Sequence, residues 1–209
     1  MFPMMGGIPV VVKNLLIING LAFLATIVFQ GRFDIDVYNQ LGLFVITSPN
    51  FEIYQVITHM FLHGGFLHLF LNMFILFMFG SVLEHIWGPR RFLSFYLLTG
   101  IGAAFLHVLV TIIEIAYADP QTAQTLQQIP TVGASGAIFG LLMAFAMFFP
   151  DQRLYLMAVL PIKAKYLVLG LIIFELVRGL GDPGSGIAHF AHLGGMLFGY
   201  ILIKFWYKW

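Results

Sequence analysis

The stretch TVGASGAIFG, residues 131–140, sets one hydroxyl, Ser135, among small residues at the head of a run apolar enough to enter a bilayer. Such a serine either lets helices pack closely or acts as a nucleophile in a place that excludes water. The composition around it settles the environment first. The chain has 209 residues, 60% of them hydrophobic and only 9% charged, with a mean hydropathy of +0.95. A soluble domain carries about 25% charged residues, so this chain is expected to be an all-α, polytopic membrane protein. Cysteine is absent, which removes disulfides and thiolate metal sites. A net charge of +1 gives no footing for nucleic acid.

Working outward from Ser135, six apolar spans can be drawn: Val10–Phe29, Phe66–Ile86, Phe92–Ala116, Ser135–Phe149, Tyr166–Leu180 and Ile187–Trp206. They fill one domain over residues 1–209 and leave no room for a second. The N-terminal stretch MFPMMGGIPVVVKN lacks a basic segment with a small-residue cleavage site and reads as the start of the first span. Between the first two spans, residues 30–65 form a long semi-apolar connection, expected to lie as a structured loop at the interface. Lys13, Arg90, Arg91, Arg153, Lys163, Lys165, Lys204 and Lys208 fall at one set of span ends, against Arg32 and Arg178 at the other. The positive-inside rule then puts both termini in the cytoplasm. The loop GDPGSG, residues 181–186, faces outward and reads as a mobile lid.

Polar groups within spans are expensive and mark function. At about 1.5 Å per residue, the fourth span covers about 22 Å of a roughly 30 Å core, which sinks Ser135 about 8 Å below the outer surface. His192 comes to the same depth in the last span, and His68 and Asn72 share one face in the outer turns of the second. Gly136-xxx-Gly140 follows the serine and Gly195-xxx-Gly199 follows the histidine. Such faces bring transmembrane backbones close together, so Ser135 Oγ is expected within reach of His192. That set supplies a hydroxyl, a base, and oxyanion donors from His68, Asn72 and the backbone N–H of Ser135. No acid completes it, because Glu84, Glu114 and Glu175 lie too deep or too far inward, so a Ser–His dyad is expected. Phe139, one turn past Ser135, is placed to stack on the imidazole. His189 fits no motif, and His59 and His63 read as loop hydrogen-bonding groups.

The segments HMFLHGGFLHLFLN (59–72), GASGAIFG (133–140) and AHLGGMLFG (191–199) closely resemble the rhomboid intramembrane serine proteases. Their motifs, HxxxN, GxSG and AHxxGxxxG, occur here in that order on spans two, four and six, and the likeness runs roughly from Gln55 to Gly199. It implies a six-helix bundle in which Ser135 is the nucleophile, His192 the general base, and His68 and Asn72 oxyanion donors. Gly133, Gly136, Gly140, Gly195, Gly199 and Phe139 become helix-packing support, and Glu84 a structural residue. The resemblance also implies a multi-pass protein of the cell membrane, the inner one in a bacterium, with no cofactor or metal. Its partners would be membrane lipids and single-pass transmembrane substrates, cut after a small residue near the outer end. One departure is that the Trp-Arg pair often found in the first loop is replaced by Tyr54-Gln55. A catalytically silent helix-binding relative and a metal transporter built on His59, His63 and His68 stand as alternatives.

Overall fold

The computed structural model describes residues 7–156, 160–181 and 188–206. The 181–186 loop read as a lid therefore lies outside the described residues beyond Gly181. In chain order the helices are α1 (Val10–Phe33), α2 (Val37–Leu41), α3 (Gln55–Thr58), α4 (Phe66–Ile75), α5 (Ser81–Trp87), α6 (Pro89–Tyr117), α7 (Pro120–Gln128), α8 (Ser135–Phe148), α9 (Ala164–Gly181) and α10 (His189–Trp206). A π-helical turn, Leu76–Gly80, joins α4 to α5. Val10–Phe33, Phe66–Trp87 and Pro89–Tyr117 are long and apolar enough to cross a membrane, and Ser135–Phe148 is a shorter apolar helix. Leu21, Leu24, Phe70, Phe105 and Leu169 stay exposed, an outer surface suited to lipid and not to water.

The described residues are mostly helical, as expected, with one small addition. Strands β1 (Arg153–Leu156) and β2 (Leu160–Lys163) form an antiparallel ladder between α8 and α9. Its base is closed by Asp151, which accepts 2.9 Å hydrogen bonds from both Lys163 and Lys165. Those two bonds hold the Asp151 carboxyl down at about 2. Neither strand has the length or the apolar periodicity that a sequence reading keys on.

Helix α8 is the axis of the bundle. Its buried residues, from Gly136 to Ala146, point in every direction, as they must in a helix enclosed by others. Helices α6 and α10 flank it. A Cβ on Gly195 would overlap the carbonyl oxygen of Gly136, and one on Gly199 would come within 2.9 Å of the Gly140 carbonyl oxygen. Facing α6, a Cβ on Gly136 would collide with Ala103, and one on Gly140 would lie 2.7 Å from Thr99 Cβ. The two small-residue faces read from the sequence thus meet backbone to backbone. Tyr96, Phe92, Phe95 and Leu141 close the core beside them.

Two polar anchors position the remaining elements. Glu84 on α5 accepts hydrogen bonds from the backbone N–H groups of Val11 (2.9 Å) and Val12 (2.8 Å). It thereby satisfies orphan donors at the start of α1 and complements that helix's dipole, the structural role expected of it. Gln55, almost wholly buried, organises the long first connection. Its Oε1 accepts from Phe44 N and Glu52 N, and its Nε2 donates to Gln40 O and Asn50 O. The Tyr54-Gln55 departure therefore keeps a strong loop-ordering residue.

The Gly136–Gly195 contact generates a stability prediction. Gly195→Ala should destabilise the bundle by about 1–3 kcal/mol or more, the usual cost of overpacking. Gly170→Ala on α9, where a Cβ meets nothing within 4 Å, should leave the melting temperature unchanged or raised. Thermal unfolding in detergent compares the two.

Candidate active site

Helix α8 begins at Ser135, so the serine's backbone N–H is one of the first-turn donors with no acceptor inside the helix. The segment leading into it is tied down on three sides. Thr131 and Leu43 exchange backbone hydrogen bonds of 2.9 and 2.8 Å. Thr131 Oγ1 lies 2.6 Å from His107 Nε2 on α6. Gly133 N–H donates to the carbonyl of His59 at 2.9 Å. Gly133 was expected at a helix interface; it sits instead in this lead-in with φ of +131°, a conformation side chains disfavour. A Cβ there would stand 3.0 Å from His68 Nε2 and 3.5 Å from Ser135 Oγ.

Ser135 Oγ and His192 Nε2 share a hydrogen bond of 2.8 Å across 57 positions of sequence. The Phe139 ring stacks on the imidazole, with centroids 4.2 Å apart and planes 4° from parallel. Both contacts were expected, and both follow from the glycine-mediated approach of α8 and α10.

The expected donors lie on α4. His68 Nδ1 accepts, at 3.4 Å, from Gly64 N–H, which leaves the ring proton on Nε2, the nitrogen directed to the Gly133–Ser135 neighbourhood. His63 packs edge-on against His68, centroids 5.0 Å apart. Asn72, one turn on, is buried, and its Nδ2 has no hydrogen-bond partner among the described residues. An unpaired buried amide donor is costly and suits a group kept ready for an anion. His68, Ser135 and His192 line one cavity of about 840 Å³, together with His107, Thr131 and Glu114. Asn72 is not part of that lining among the described residues. His59 bonds through Nδ1 to Gln55 O at 2.8 Å, as a loop histidine should, whereas neither ring nitrogen of His63 finds a partner among the described residues.

Two expectations are overturned. Glu175, set aside as too deep, places Oε1 3.1 Å from His192 Nδ1. His189, which fits no motif, donates from Nδ1 to Glu175 Oε2 at 2.5 Å. The physical reason is depth. Helix α9 runs on to Gly181, so Glu175 lies about 9 Å from that end at the usual helical rise. That matches the level estimated for Ser135 and His192, and counting inward from the α9 terminus would have found it. The three residues also bring ligand-capable atoms within 4.8 Å of one another, a cluster the sequence reading did not foresee.

The bundle thus holds a serine against an imidazole at the edge of a largely apolar cavity into which His68, His107, Thr131 and Glu114 bring a few polar groups. The chain belongs to the rhomboid family: the Rhomboid domain model matches residues 50–209, and the protein is a multi-pass membrane protein. It is similar to the Rhomboid protease AarA of Providencia stuartii, with 30% identity over 68% of this chain and 52% of that protein. It also resembles the mitochondrial RHOMBOID-like protein 12 of Arabidopsis thaliana, with 29% identity over 88% of this chain and 55% of the relative. A third relative is the Rhomboid-like protease 5 of Toxoplasma gondii, 31% identical over 73% of this chain and 16% of that protein. The chain thus spans about half the length, or less, of these relatives.

The stacked ring yields a prediction. Ring stacking contributes about 0.5–1.5 kcal/mol, so Phe139→Ala should slow serine-directed phosphonate labelling about 2–13-fold. Phe139→Tyr, which keeps the ring, should label at the wild-type rate.

Proposed function

We propose that this protein is an intramembrane serine endopeptidase that cuts transmembrane substrates near the outer end of their spans. The observation that carries the reading is the 2.8 Å hydrogen bond between Ser135 Oγ and His192 Nε2, at the edge of a cavity able to admit a peptide segment. Two relatives named as proteases support it. In the first half-reaction Oγ attacks the scissile carbonyl carbon while Nε2 takes its proton. The oxyanion then gathers hydrogen bonds from His68 Nε2–H, Asn72 Nδ2–H and the Ser135 backbone N–H. Collapse of the intermediate breaks the C–N bond, and the leaving nitrogen takes the proton from His192. A water, deprotonated by the same imidazole, then cleaves the acyl ester and regenerates Oγ–H.

The wider arrangement in this proposal is a single six-span domain in the cell membrane with both termini cytoplasmic. It rests on α1, the joined α4–α5, α6, α8, α9 and α10 as spans and on the basic residues collected at one set of ends. Because α8 has 14 residues, it measures about 21 Å against a core of about 30 Å. The nucleophile then lies about 9 Å below the outer surface. A substrate helix must unwind there, since its carbonyls are otherwise held in the helical ladder. The substrates are taken to be single-pass proteins, with a small residue before the cut and helix-weakening Gly or Pro after it.

Purified protein in liposomes, given a single-pass substrate, tests this with product masses as readout. Wild type should cut within the outermost two turns of the span. Ser135→Ala and His192→Ala should yield no product while remaining folded. Asn72→Ala and His68→Ala should each lower kcat about 10²–10³-fold. Cleavage by Ser135→Ala overturns the assignment, and cuts at mid-membrane overturn the depth argument.

The cluster of Glu175, His189 and His192 favours one second reading, a bound divalent cation. Hydrogen bonds already occupy His189 Nδ1, Glu175 Oε2 and His192 Nε2, so the protease reading expects full activity in EDTA. Loss of activity in EDTA, reversed by zinc, would establish the cation site instead.

A further inference from the structure

Glu175 is a carboxylate inside an apolar helix, its side chain 5% exposed. A charge buried at membrane depth persists only with partners, and its two oxygens go to two different imidazoles. Oε2 accepts from His189 Nδ1 at 2.5 Å, and Oε1 lies 3.1 Å from His192 Nδ1. The histidines are three residues apart on α10, neighbours on one helical face. Their rings stand 6.5 Å apart at 86°, which turns both Nδ1 atoms to a single carboxylate. The serine–histidine pair and its oxyanion donors use none of this.

We propose that Glu175 is a positioning residue for His192, the third member of a Ser135–His192–Glu175 chain, with His189 as the clamp that fixes the carboxylate. The inference rests on the assignment of Ser135 and His192 as the reacting pair. For Nε2 to accept the serine proton, the ring's own proton must sit on Nδ1, the nitrogen that faces Glu175. A carboxylate there selects that tautomer. It also stabilises the imidazolium formed as Oγ attacks, and it stays ionised while the proton passes from Oγ to Nε2 and on to the leaving nitrogen. In the resting structure Oε1 is within ion-pair distance of Nδ1 but off the axis needed for a hydrogen bond. Such slack is usual before substrate binds. The His189 bond keeps the carboxylate from rotating away, and Phe139 holds the opposite degree of freedom by stacking on the ring.

Other ionisable groups share the cavity with His192: His107 and Glu114 on α6, His68 on α4 and His189 on its own helix. Arg178, one turn past Glu175 on α9, is exposed. Among the described residues only Glu175 brings a carboxylate within 4 Å of His192.

The test uses the full chain in liposomes with a transmembrane substrate, together with phosphonate labelling of Ser135 across pH. Glu175→Gln should lower kcat on the order of 10²–10⁴-fold with KM little changed, and labelling should slow in parallel. An imidazolium without its counter-charge is harder to form, so the acid limb of the pH–rate profile should move to lower pH. Glu175→Asp, which keeps the charge but shortens the reach, should retain the wild-type acid limb with a reduced kcat. This variant also keeps the question decidable if Glu175→Gln does not fold by thermal unfolding in detergent. Wild-type kcat and pH profile in Glu175→Gln, or wild-type kcat in Glu175→Asp, overturns the inference. Labelling that survives Ser135→Ala sinks the underlying assignment; labelling lost in Ser135→Ala but normal in Glu175→Gln sinks only the role of Glu175.

Discussion

The direct contact of two backbones, Gly136 on α8 against Gly195 on α10, is the constraint on which the rest depends. Apolar burial gives little drive for helices to associate where the solvent is itself apolar; close packing and polar contacts supply it. With no Cβ on Gly195 to meet the Gly136 carbonyl, the helix axes come near enough for Ser135 and His192, one residue before and three residues before those glycines, to share a 2.8 Å hydrogen bond. Gly140 and Gly199 repeat the contact one turn along. They fix the rotation of each helix as well as the spacing, which is what aims Oγ at Nε2.

The cost of polarity in a bilayer explains how the outlying groups are arranged. Several ionised or strongly polar side chains near the core are given defined partners. Glu84 closes the α1 N-terminus, Gln55 saturates both ends of its amide within the first loop, and Glu175 is divided between two imidazoles. Among the described residues some buried polar atoms lack a partner, among them both ring nitrogens of His63 and the amide nitrogen of Asn72. The latter is a donor left free on the helix that carries His68.

Much of this was legible in the sequence, for identifiable reasons. Ser135, His192 and the four interface glycines announce themselves because helical spacing converts directly into faces and depths. Phe139 follows from Ser135 by one turn. Glu175 is not legible as a partner of His192 because no local motif links it to a histidine on another span, and only its distance from the α9 end brings out the shared level. His189 carries no motif and acquires meaning only through a residue on another helix. Gly133 was assigned to packing because a glycine looks the same in a helix and in a turn. Its φ of +131° is a property of the tertiary path past His59 and His68. The β1–β2 ladder escaped because it depends on the Asp151 clamp, where the two lysines read only as topology markers.

The proposed hydrolase activity would have to reconcile a dry, tightly packed interior with a reaction that consumes water. In that reading the two demands fall on opposite sides of α8. Its glycine faces, against α6 and α10, are sealed by Ala103, Thr99 and backbone, while its first turn opens on a cavity bordered by His68, His107, Thr131 and Glu114. Because α8 is only 14 residues long, that first turn lies short of the surface, and polar side chains from α4, α6 and the 131–134 lead-in reach it without crossing the packed layer. The short helix therefore does more than position a serine: it ends where the lipid-excluding core ends, so hydration of the cavity need not loosen the glycine contacts that align the reacting pair.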